Sequence, residues 1–113
     1  MPFINAKITV PVPQEKHDVL KAEFGKAISI MNKPESYLMV GIEDNYTLYM
    51  GGKPLDKGAF VSVQVLGTVD KAASAKMSGK ICDILQSLFD IPPSAVYITY
   101  QGIADWGWNG SNF

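Results

Sequence analysis

Apolar and polar residues alternate from Phe3 to Val10, with Ile4, Ala6, Ile8 and Val10 on one face and Asn5, Lys7 and Thr9 on the other. A period of two predicts a strand, and Pro11 and Pro13 stop it. From Gln14 to Asn32 the period lengthens, and Leu20, Phe24, Ala27, Ile28 and Met31 trace one stripe of an amphipathic helix. Lys33-Pro34 closes that helix, because the residue before a proline avoids helical geometry. Tyr37 to Ile42 reads as a second strand.

The same succession then recurs. Val61, Val63 and Val65 share one face of a strand from Phe60 to Leu66. Asp70 is placed to cap a helix that runs to about Phe89, with Met77, Ile81, Ile84, Leu85 and Leu88 as its stripe. Pro92-Pro93 closes it, and Val96 to Gln101 is the matching strand. Leu20 precedes Met77, Met31 precedes Leu88 and Phe3 precedes Phe60, each by 57 positions. Two tandem βαβ units are therefore expected, spanning approximately residues 2–56 and 57–113 of a single domain. The fold class is α+β: parallel strands joined by crossover helices build a four-stranded sheet with both helices on one face. Ile4, Ile8, Leu38, Val40, Val61, Val63, Val96 and Ile98 are expected beneath the helices. Asn5, Tyr37, Ser62, Gln64, Tyr97 and Thr99 are expected on the opposite face, wet or against another subunit.

Two short pieces lie outside the repeat. Thr47 to Met50 is a candidate edge strand ended by Gly51-Gly52. The tail from Gly107 to Phe113 carries Trp108 and Phe113, large apolar groups that near a terminus often dock on a neighbouring chain. Oligomerisation is the expectation, with Trp108 as interface packing.

Composition removes several classes of function. With 113 residues, 47% of them apolar, the chain can bury one core. Ten basic and eleven acidic side chains leave a formal charge of −1, without the basic stripe that nucleic acid requires. No apolar run approaches the roughly 18 residues that cross a bilayer, so no membrane partner is expected. The opening MPFINAKITV lacks the pattern of a secretory signal, which places the chain in the cytosol or has it exported without a leader. The lone Cys82 can make neither an intrachain disulfide nor a Cys-rich metal site, and is expected to be a small buried hydrophobe. His17, the only histidine, has no second ligand nearby, so no metal site is expected.

One set of short segments, spread in order along the whole chain, carries a resemblance. It comprises Met1-Pro2-Phe3-Ile4, Gly25 to Pro34, Ser36-Tyr37, Gly51-Gly52, Leu66-Gly67, Val96-Tyr97-Ile98 and Gly107-Trp108-Asn109-Gly110-Ser111-Asn112-Phe113. In these the sequence resembles the macrophage migration inhibitory factor family of the tautomerase superfamily. The resemblance implies a homotrimer with active sites at subunit interfaces. It further implies a cofactor-independent keto–enol isomerase acting on phenylpyruvate-type and dopachrome-type substrates. Pro2, once Met1 is removed, would be the catalytic base. Lys33 would pair with the carboxylate of a small keto acid, and a backbone group of Leu66 would bond the same end of the ligand. Tyr97 would enter the pocket from the neighbouring subunit. Thr99 stands where many relatives have asparagine, and Trp106 where they often carry a smaller apolar residue. Trp106 would narrow the pocket mouth and favour flat aromatic substrates. Some relatives carry a Cys-x-x-Cys pair credited with thiol redox activity. The corresponding Gly58-Ala59-Phe60-Val61 has no sulfur, which rules out redox chemistry at that position. A second reading from the same family is a secreted cytokine-like protein whose partner is a host cell-surface receptor.

Overall fold

The computed structural model describes residues 1–113. Its main sheet has four strands in the order β2-β1-β5-β6, where β1 is Pro2–Ile8, β2 Met39–Glu43, β5 Ala59–Leu66 and β6 Val96–Ile103. Helices α1 (Gln14–Ala27) and α2 (Lys71–Phe89) supply the crossovers. A spacing of 57 residues separates the starts of α1 and α2, and likewise those of β2 and β6. Within each unit the two strands are parallel, as crossover connections require. The units themselves meet antiparallel through β1 and β5, so the sheet is mixed.

In β1 and β5 burial alternates without a break, and Ile4, Ala6, Ile8, Val61, Val63 and Val65 lose all contact with solvent or nearly so. They meet Leu20, Phe24 and Ile28 from the first helical segment and Met77, Ile81 and Leu85 from α2 in one core. Both strands are central, flanked by a partner on each side, which is why their helix-facing positions are the driest. Leu38, Val40, Val96 and Ile98, placed beneath the helices by the sequence pattern, pack on that core only half-buried. Leu38 leads into edge strand β2 and the other three lie on edge strands β2 and β6.

Several boundaries differ from the periodicity. The first helix is α-helical only to Ala27, then tightens into a 3₁₀ turn over Ile28–Met31, and Asn32 ends it in the left-handed region at φ 58°. The tighter turn keeps Ile28 and Met31 buried, so the apolar stripe survives the change of helix type. Tyr37 closes a 3₁₀ turn, Glu35–Tyr37, rather than opening the second strand. Thr47 to Met50 does not extend the main sheet. Tyr49–Met50 (β3) pairs with Lys53–Pro54 (β4) across Gly51-Gly52, both at positive φ, in a two-residue hairpin. The tail folds back as a second small hairpin, Gly107–Trp108 (β7) with Ser111–Asn112 (β8). No helix is long and apolar enough to cross a membrane. Cys82 is half-exposed rather than buried, and burial followed by the nearby Asp83 carboxylate raises its thiol pKa.

Candidate active site

Pro2 opens β1 on the helix-facing side of the strand and is buried. It sits in register with Val65 of β5, which in turn faces Gly102 of β6. One residue further, the Leu66 main chain does two things. Its N–H donates to the Met1 carbonyl at 2.9 Å, and its own carbonyl accepts from the Lys33 ammonium at 3.0 Å. Lys33 follows the left-handed Asn32 and Pro34 follows it, so this turn, not the helix itself, aims the side chain at β5. The amine that begins the chain is held below the ordinary α-amine value, first by burial and then by the Lys33 charge.

Pro2 also borders a cavity of about 470 Å³, within the usual range for small-molecule sites. Its walls include Phe3, Tyr37, Leu38, Met39, Trp106 and Trp108, with Ser36 and Gln64 among the polar residues. Trp108 meets Tyr37 edge-on at 6.1 Å between ring centroids and stacks on Phe113 at 5.8 Å. The terminal hairpin holds these rings in place, since the Phe113 N–H donates to the Trp106 carbonyl at 3.0 Å. An aromatic slot beside Pro2 suits a flat ligand, while the Lys33 ammonium sits on the Leu66 carbonyl and is not among the residues that line the cavity.

The fold thus gathers Pro2, Lys33 and Leu66 at one point, with Trp106 on the wall of the adjoining cavity. It does not bring Tyr97 or Thr99 there. Both side chains are exposed on the sheet face opposite the helices, and Tyr97 precedes Gly102 by five residues on β6. At ~3.3 Å per residue, Tyr97 lies roughly 17 Å along the strand from the row that contains Pro2. Trp108, expected from the sequence as interface packing, also lines the cavity within its own chain and stays about half exposed. Ser36, Met39 and Gln64 were not singled out as cavity residues by the sequence. The only hint was the Ser36-Tyr37 pair directly after Lys33-Pro34.

The sequence profile of the macrophage migration inhibitory factor family matches residues 1–113, the whole chain. The chain belongs to that family. Relatives similar along their full length include macrophage migration inhibitory factor homologues of Trichuris trichiura, 30% identical over 115 residues, and Trichinella spiralis, 28% identical over 117. In each case the match covers all of both chains. Among solved structures, MIF2 of Leishmania major superposes with a TM-score of 0.93 at 26% identity, covering 100% of this chain and 97% of that one. The homologue from Prochlorococcus marinus gives 0.88 at 26% identity, with 98% of each chain covered. This architecture is the tautomerase fold of those family members.

Proposed function

We propose that the chain is a cofactor-independent tautomerase that interconverts keto and enol forms of phenylpyruvate-type and dopachrome-type substrates. The observation that carries this reading is the position of Pro2, buried beside an aromatic cavity and one residue from the Leu66 peptide that binds Lys33. Removal of Met1 would make the Pro2 nitrogen a secondary amine. Its lone pair would take a proton from the carbon beside the substrate carbonyl, the C–H electron pair would form the C=C bond as the carbonyl π pair moves to oxygen, and the protonated amine would return a proton to that oxygen, directly or through water. No atom or electron is lost, so the reaction needs no cofactor.

An ordinary α-amine with a pKa of about 7.7–8.0 is only roughly one-tenth neutral at pH 7. Burial and the Lys33 charge, which lower the pKa of the Met1 amine, would enlarge that fraction for a Pro2 amine by no more than about tenfold; placement of the α-carbon against the nitrogen must supply the rest. Lys33 spends one of its three N–H groups on Leu66 and keeps two for a carboxylate. The aromatic walls, Trp106 among them, would hold the flat body of the substrate. Tyr97 and Thr99 would reach this cavity only from a neighbouring subunit, which is the geometry of a homotrimer.

Intact-mass measurement and a phenylpyruvate assay on one sample test the reading together. Loss of Met1 with enol formation supports it, and a retained methionine with no turnover overturns it. Pro2→Gly should lower kcat/KM by about 10²-fold or more, the usual worth of a positioned base. The Trichinella spiralis and Trichuris trichiura relatives, named as macrophage migration inhibitory factor homologues, support a second reading, a secreted cytokine-like protein whose partner is a host cell-surface receptor. In that case Pro2→Gly would abolish turnover and leave receptor binding intact, whereas binding lost in parallel with turnover would count against it.

A further inference from the structure

Gly102 lies two strands from Pro2 in the same row of the sheet, in register with Val65. A Cβ added there would overlap the Gly67 carbonyl oxygen and come within 3.3 Å of both the Gly67 carbonyl carbon and Thr68 Cα. All three obstacles are backbone, so no side chain can swing aside to make room. Gly67 itself stands at φ +92°, with open space around its Cα, and its N–H donates to the Ile103 carbonyl at 2.8 Å. The strand thus ends in a turn laid flat against β6, and that turn follows directly on the Leu66 carbonyl that accepts from Lys33.

We propose that Gly102 is a positioning residue: its missing side chain seats the Gly67–Thr68 turn on β6, which fixes the Leu66 carbonyl and, through it, the Lys33 ammonium beside the start of the chain. The catalytic consequence rests on the tautomerase reading above, but the positioning itself does not. A carbonyl tilted away by the turn would release Lys33 to solvent. The N-terminal amine would then lose the neighbouring charge that favours its neutral form, and a bound carboxylate would lose its partner.

The test is a double-mutant cycle read on the amine directly. The N-terminal amine is titrated by NMR in the wild-type chain, Gly102→Ala, Lys33→Ala and the combined variant, with intact mass showing whether the amine belongs to Pro2 or Met1. Lys33→Ala should displace the titration to higher pH, and Gly102→Ala should give at least half of that displacement. The combined variant should move no further than Lys33→Ala alone. A titration unmoved by Gly102→Ala in a folded chain overturns the proposal, and so do additive displacements. Should Gly102→Ala fail to fold, Gly67→Ala enters the same cycle, since it disturbs the same turn by backbone strain without overlap. Absence of turnover in the wild-type chain would defeat the tautomerase reading and leave the cycle interpretable.

Discussion

Leu66 meets Met1 and Lys33 through its main-chain N–H and carbonyl rather than its side chain, and this bears on what mutation at each candidate residue should do. Lys33 is the only one of them with a charged side chain. Lys33→Ala removes a charge-assisted bond of about 1.5–3 kcal/mol, so kcat/KM for a carboxylate substrate should fall roughly 10–150-fold, mainly through KM. The pH profile should move as well. Burial and then the Lys33 charge lower the pKa of the Met1 amine; a Pro2 amine freed at the same end of the strand would feel the same charge, so removing Lys33 should raise its pKa and shift the acid limb of kcat/KM to higher pH. A profile that falls in height without moving would show that Lys33 binds substrate but does not tune the base. Tyr100 gives a second residue-scale prediction, on stability. Burial raises its phenol pKa above 10.0, partly opposed by the 2.8 Å hydrogen bond with Ser78. The unfolded phenol deprotonates first, near pH 10, so the unfolded state holds fewer protons and stability falls as pH rises from there. Tyr100→Phe should flatten that alkaline decline in urea titrations at pH 9–11; an unchanged slope would assign it to other groups.

At the scale of elements, the two helices repeat in position but not in their caps. The Asp70 carboxylate accepts from the Ala73 N–H at 2.8 Å, whereas Pro13, at the equivalent place before α1, offers no side-chain bond. Asp70→Ala should therefore cost about 1 kcal/mol of unfolding free energy by urea denaturation, and Pro13→Ala should show no loss of a cap. Equal costs at both positions would contradict this assignment. Asp70 was legible in the sequence because capping is a local interaction, decided within four residues. The end of the first helix was not, because Ile28 and Met31 lie on the apolar stripe in either an α or a 3₁₀ turn. Tyr37 misled for a related reason: it adjoins an apolar run, but Pro34 and the following turn hold it short of the sheet, where it meets Trp108.

At the scale of the molecule, the sheet face away from the helices carries Tyr97 and Thr99 exposed, and Tyr97 is 61% accessible. A homotrimer would give both residues a cavity to enter, that of the neighbour. Sedimentation should then report three times the chain mass. Subunits of Pro2→Gly and Tyr97→Ala, mixed after mild dissociation, should regain activity above either parent, because a site built from the two unmutated halves is intact in roughly a quarter of assortments. Mixtures no better than the parental average would place Tyr97 outside the site.

The sequence by itself determined the two helices and four main strands to within a few residues, their 57-residue repetition and the helix-facing side of each of those strands, because hydrophobic period and prolines act over a few neighbouring residues. It also carried the family resemblance, and with it Pro2, Lys33, Leu66 and Trp106. Only the tertiary structure decided that the two units join antiparallel through β1 and β5, that Lys33 reaches Leu66 across 33 residues, and that the last hairpin walls the cavity. Each of those contacts links segments far apart in the chain, so it depends on strand register and turn geometry that no local pattern encodes.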